Sequence, residues 1–455
     1  MFNNMTRRDF MKGMLAGGAA ACSAGLLTAC GSTSAGSTSS STTSSSTSSG
    51  STSSENTGSD DVIDLTFWYA YTGTIQEYID AAVERFNTTV GAEKGISVTA
   101  EYQGAYTDLH QKLQAAYIAG TAPDVTELEI GVVGEFSNGG MVQSLDSFIE
   151  ADNYDLSDFY DGLLYNCNIN DSYYALPFLR STSIMYMNAT LLAEAGVDAE
   201  EIHSWDDVTA ACEAVYEATG KYGMTMASYY WFYEAFLLTR GSFPINEEET
   251  EITIDTQECR DMIAYFQDLY DRKLLHFYAY SESDKTSADV TNQDAAIWFA
   301  STGSLSGYVS VAEEQGFELV CSFIPKETSY GVAVGGCNMA MLSGLSAERQ
   351  QAVWEFIKFM TTEEETVEAN AVTGYLATRK SAQEDENMQA LYAAYPQYKV
   401  ATEQLEYSHG RPNASGYAEW QLDFHDGISE IIINGADLDE TLAELEEEGN
   451  ELLNE

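Results

Sequence analysis

Apolar and polar positions alternate over Val62-Ile63-Asp64-Leu65-Thr66-Phe67-Trp68, which predicts a strand. Ile75, Ile79, Ala82, Val83 and Phe86 then recur at helical spacing and predict a helix over 74–86. A second strand is expected over 96–102 and a second helix over 106–119, on Leu109, Leu113, Ala116 and Tyr117. Thr121-Ala122-Pro123-Asp124 breaks that helix, and 125–128 reads as a third strand. Strands alternating with helices predict an α/β chain with a parallel sheet.

The pattern returns later with more helix. The strongest helical periods are 205–218, 258–269 and 348–359; 305–315 also reads as helical, 438–453 is a final amphipathic helix, and further strands are expected over 317–324 and 336–342. No Ser/Thr/Pro-rich linker interrupts the chain after Asp60, so two lobes sharing interleaved strands fit better than separate domains in series. No internal repeat is found.

The first sixty residues break this picture. Arg7-Arg8 precede an apolar Gly/Ala-rich run from Gly13 to Ala29, as in an export signal, and the paired arginines resemble a Tat signal. A chance Arg pair in a Sec signal is the alternative. Leu27-Thr28-Ala29-Cys30 resembles a lipobox, so 1–29 would be removed and Cys30 acylated; an incidental cysteine in an ordinary signal is the alternative. Of the 24 residues from Gly31 to Ser54, 20 are Ser or Thr, which cannot bury a core and read as a tether. The expected location is the extracellular face of a bacterial membrane, with 30–60 as lipidated cysteine and linker.

Charge narrows the function. The chain of 455 residues carries 72 acidic and 20 basic side chains, a formal net of −52. Without residues 1–29 it has 17 basic and 71 acidic residues, net −54. That argues against nucleic acid and against docking on anionic lipid, both of which need a basic footprint. Five cysteines remain in the body (167, 212, 259, 321, 337), odd in number and without CxxC; they read as buried thiols, with one pair left open.

Catalytic motifs are missing. There is no HExxH, Walker A or strand-linked GxGxxG, and Gly303-Ser304-Leu305-Ser306-Gly307 has Leu at the centre, where a nucleophile elbow needs Ser. The five histidines have no metal-ligand spacing. Neither cofactor nor metal is implied, and the chain reads as a non-enzyme.

Several stretches read instead as binding surface. Phe67-Trp68-Tyr69 ends the first strand, where parallel sheets place ligands. Tyr229-Tyr230-Trp231-Phe232-Tyr233 is either binding wall or core. Ser301-Thr302-Gly303-Ser304 opens a helix and is either an anion site or an ordinary cap. Arg411, in the loop Tyr407-Ser408-His409-Gly410-Arg411-Pro412-Asn413, has few acids nearby in sequence; it is singled out as an anion ligand ahead of Arg180 and Arg379.

Together these features resemble the extracellular solute-binding proteins of ABC importers, family 1. The motifs are Phe67-Trp68-Tyr69, Tyr102-Gln103-Gly104-Ala105-Tyr106, Ala119-Gly120-Thr121-Ala122-Pro123-Asp124, Pro177-Phe178 to Tyr186-Met187-Asn188, Val334-Gly335-Gly336 and Thr373-Gly374-Tyr375-Leu376. The resemblance is nearest to the glycerol-phosphate-binding branch. It implies a two-lobed periplasmic-binding-protein fold (type II), with lobes at 61–178 plus 320–361 and 179–319 plus 362–455. It also implies a monomer that delivers a small molecule to a membrane permease.

Carried over residue by residue, the resemblance implies a ligand site of Tyr106, Glu129, Ser181, Ser301, Gly336, Tyr375 and Arg411, with Trp68, Tyr69 and Tyr230 beside it. Glu129 would accept from glycerol hydroxyls; Arg411, Ser301 and the Gly336 N–H would hold phosphate. Tyr106, Glu129 and Gly336 would come from the first lobe, Ser301, Tyr375 and Arg411 from the second. There are departures: Tyr69 stands where the family has His, Ala227 where it has an aromatic, and Arg180 where it has a small polar residue. A wider pocket and a larger ligand, such as a glycerophosphodiester, would follow. The alternatives are an oligosaccharide binder, and more remotely a surface-anchored hydrolase or an adhesin.

Overall fold

The computed structural model describes residues 62–454. The export signal, Cys30 and the tether lie outside the described residues. The strands that position the site are β1 (Ile63–Tyr69), β2 (Ile96–Tyr102), β3 (Val125–Glu129), β4 (Ala175–Asn188), β5 (Tyr222–Ala227), β6 (Leu275–Tyr278), β7 (Ala295–Ser301), β8 (Leu319–Ser322) and β9 (Val332–Met341). They run in the order β2-β1-β3-β9-β4-β7-β5-β6, with β8 also on β4. β1 pairs in parallel with β2 and β3, and β5 in parallel with β6 and β7. Between these parallel sets lie β4 and β9, antiparallel to each other.

The main helices are α1 (Thr74–Thr88), α2 (Tyr106–Ala119), α3 (Trp205–Thr219), α4 (Tyr230–Thr239), α5 (Gln257–Asp271), α6 (Leu305–Gln315), α7 (Ala347–Met360), α8 (Glu363–Thr373), α9 (Tyr417–Ser429) and α10 (Leu438–Leu452). Local chemistry fixes their ends. In α3, Ser204 and Asp207 form a reciprocal capping box, and Gly220 ends the helix in the left-handed region.

Two hydrophobic cores divide the sheet. Leu65, Phe67, Ile79, Phe86, Leu179, Met339 and Trp354 belong to one. Met185, Trp205, Phe236, Phe266, Phe299, Val332 and Trp420 belong to the other. β4 passes between them: every residue of it is buried, and the change of core falls between Leu179 and Met185. β9 crosses back between Ala333 and Cys337.

The lobe boundaries expected at 320 and 362 do not coincide with these cores. Ile324, Val332 and Ala333 still pack in the second core. α8 stays with the first: Ala369 and Tyr375 pack there, and Glu365 takes a bidentate pair from Arg85 of α1. Tyr375 is therefore a residue of the first core, not the second. Both boundaries came from the resemblance, and the crossing in β9, made inside a buried strand, leaves no break in the hydrophobic pattern that could have corrected the first.

Candidate functional site

A cavity of about 630 Å³ lies where the two cores face each other. Tyr106, Glu129, Ser181, Tyr230, Ser301, Gly336, Tyr375 and Arg411 all line it. Trp68 and Tyr69 do not. β1 alternation sends Tyr69 into the first core, 2% exposed, and Trp68 to the other face, where its indole N–H donates to Glu101 at 2.9 Å. Tyr71, just past β1, touches two of the lining residues instead. Its hydroxyl bonds those of Tyr106 and Tyr375, the latter at 3.1 Å.

Arg411 is buried, and its charge is already matched. Nε donates to Glu234 Oε2 at 2.9 Å, Nη2 to Glu234 Oε1 at 3.5 Å and Nη1 to Glu129 Oε1 at 3.0 Å. Few acids lie near Arg411 in sequence; these partners come from 177 and 282 residues away along the chain. Burial opposes the guanidinium charge, but Glu234, Tyr230 and Glu129 outweigh it and hold its pKa well above normal. Glu234 is 1% exposed and is fixed further by the Tyr417 hydroxyl at 3.0 Å and by the Gln421 amide. Tyr230 and Glu234 share one face of α4, at i and i+4, so one helix supplies both the ring under Arg411 (5.2 Å) and its carboxylate.

The Arg411 guanidinium has five N–H groups, of which three are engaged. Glu129 also caps the turn that follows β3, accepting from the Gly131 N–H at 2.8 Å. Ser301 accepts from the Gly303 N–H at 3.1 Å, so its oxygen serves as a local cap as well. Gly336 sits at a bulge between β9 and β4 with φ of 90°, and an added Cβ would strike the Leu179 carbonyl.

The wall is aromatic. Tyr229, Tyr230, Trp231, Phe232, Tyr280, Phe299 and Tyr308 all line it. Tyr229 stacks on Tyr280 at 5.1 Å, and Trp231 donates to the Val334 carbonyl at 3.1 Å. The aromatic run of α4 thus serves both readings: its first four residues face the cavity, and Tyr233 is core. Burial shifts two nearby titratable groups toward their neutral forms. Burial drives His110 down to about 4, and raises Glu127, bonded to the Ala70 N–H at 2.5 Å, to about 8. Among the described residues, no cluster of His, Cys, Asp and Glu is arranged to hold a metal.

The model of the bacterial extracellular solute-binding proteins matches residues 81–399. The chain belongs to that family. It is a non-catalytic binding component of an ABC importer, and a twin-arginine signal matches residues 4–24, so it is an exported protein. The sn-glycerol-3-phosphate-binding periplasmic protein UgpB of Shigella flexneri is 24% identical over 362 residues, covering 76% of this chain and 81% of that protein. The arabinooligosaccharide-binding protein of Halalkalibacterium halodurans is 27% identical over 217 residues, 45% of each chain. UgpB of Mycobacterium tuberculosis, solved with glycerophosphocholine, superposes with a TM-score of 0.77 at 23% identity, over 87% of this chain and 99% of that one. The cyclic α-maltosyl-1,6-maltose binding protein of Arthrobacter globiformis gives 0.75 at 21%, over 86% and 99%. The family fold, a two-lobed α/β periplasmic-binding-protein fold, is thus shared with both phosphodiester-bound and sugar-binding structures.

Glu234, Tyr71 and the Tyr280 side of the wall escape the sequence reading. Only the i, i+4 spacing of Tyr230 and Glu234 could have flagged the first.

Proposed function

We propose that this solute-binding protein captures a glycerophosphodiester, held between the two lobes, and is tethered to the membrane through acylated Cys30. Arg411 carries the reading. It is clamped from behind by Glu234, keeps unengaged N–H groups, and stands in an aromatic cavity. Two carboxylates already face this guanidinium, so each negative charge on the ligand adds to a local excess, and a dianion is matched worse than a monoanion. A phosphomonoester such as glycerol 3-phosphate is largely a dianion at pH 7, because its second pKa is about 6. A phosphodiester stays a monoanion, and a cationic head group gains from the tyrosines. Ligand contacts on both cores favour the closed arrangement, since only that arrangement offers both sets.

A neutral oligosaccharide is the second reading, favoured by the same two carboxylates that offset Arg411 and by the aromatic wall. Calorimetry with glycerol 3-phosphate, glycerophosphocholine and arabino- and malto-oligosaccharides separates them. Tightest binding of glycerophosphocholine is expected; silence with both phosphates and heat with a neutral sugar would overturn the reading.

A further inference from the structure

Arg180, on β4, stands where the resemblance led us to expect a small polar residue. It is fully buried. Nε donates to the Gly335 carbonyl at 3.0 Å, and Nη1 to the Leu163 carbonyl and to Asn338 Oδ1, both at 2.7 Å. Nη2 has no hydrogen-bond partner. All three acceptors are neutral; among the described residues no ion pair to Arg180 is found, and the carboxylate whose field reaches it is Glu129, already paired with Arg411 at 3.0 Å. The Cys167 thiol is close by, but burial pushes it up to about 12, with Arg180 only partly opposing, so it supplies no negative charge at neutral pH. Hydrogen bonds to carbonyls satisfy donors; they do not cancel a buried charge, which is costly to leave unpaired.

The position gives that cost a use. Arg180 packs behind Gly335 and Gly336, which line the cavity, and its neighbour Ser181 lines it too. The peptide whose carbonyl takes the Arg180 Nε–H is the one whose N–H belongs to Gly336. A guanidinium on the carbonyl polarises the peptide and strengthens its N–H as a donor. We infer that Arg180 is a specificity-determining residue: without touching the ligand, it makes the cavity select an anionic group, whose charge completes the one that Glu129, shared with Arg411, offsets only in part. The inference rests on the phosphodiester reading.

The test is calorimetric titration of glycerophosphocholine into the intact exported protein, the Arg180→Gln variant and the Arg180→Lys variant, at several salt concentrations, with thermal melts to verify folding. Expected are a loss of at least tenfold and a shallower salt dependence for Arg180→Gln, with Arg180→Lys within threefold of the parent. Unchanged affinity and salt dependence in a folded Arg180→Gln would overturn the inference alone. No binding to the parent protein would instead overturn the phosphodiester reading, and this inference with it. Should Arg180→Gln not fold, Arg180→Lys decides: it keeps the charge but breaks the fork, so a tenfold loss counts against a charge role and retained affinity with retained salt dependence counts for it.

Discussion

The Arg411–Glu234 pair is the residue on which recognition and stability meet. Removing one member of a buried ion pair strands the other, at a cost of about 3–5 kcal/mol. Arg411→Ala is therefore expected to lower the urea midpoint, and to weaken phosphodiester binding by more than tenfold, about 1.4 kcal/mol. A smaller loss by calorimetry would mean that Arg411 does not hold the anionic group. Glu127 gives a second expectation, in pH. Its folded pKa of about 8 lies above the ordinary 4.5, so between those values the folded state holds a proton that the unfolded state has released. Stability then falls as pH rises through that window, by about 1.4 kcal/mol per unit at the steepest. His110, lowered to about 4, acts in the opposite sense, losing stability as pH drops from 6.5. Comparing Glu127→Gln with the parent by urea unfolding at pH 5 and pH 8 isolates the first term; the variant should lose less stability between the two.

Among the elements, β9 and β4 do most to shape the cavity, and they were the hardest to read. β1, β2, α2 and α10 were legible because each has one buried face, so polar positions mark the period; all fall within two residues of expectation. β4 is buried along its full length and carries no alternation. β9 begins four residues before its expected start, because its first residues belong to one core and its last to the other. The site was legible where a residue type is rare or the resemblance fixes it, as with Arg411 and Tyr106. It was illegible where partners meet only through the fold: Glu234 lies 177 residues from Arg411. Gly336 tests the crossing itself. A side chain there combines an unfavourable φ of 90° with a clash against β4, so Gly336→Ala should cost at least 1–3 kcal/mol and lower the melting temperature measurably.

On the scale of the whole molecule, the acidity belongs to the surface. A chain with a formal net charge of −52 repels an anionic solute at long range, yet screening cuts that field within about 8 Å at physiological salt. Stopped-flow association of an anionic ligand should accelerate as salt is raised from low ionic strength. A rate that falls instead would show that the field of the cavity, not that of the surface, guides approach. Bound ligand at a hundred times its Kd should add about 2.7 kcal/mol of stability, seen as a rise in melting temperature.

The five body cysteines are all buried and unpaired. Burial alone raises Cys321, and it dominates at Cys167, Cys212 and Cys259, each held near 12. A chain cut to start at Ile63 would therefore offer no ready thiolate to a maleimide dye. One cysteine introduced on the exposed surface beside the cavity would become a lone attachment point, and a polarity-sensitive fluorophore there would turn the closing of two cores into light.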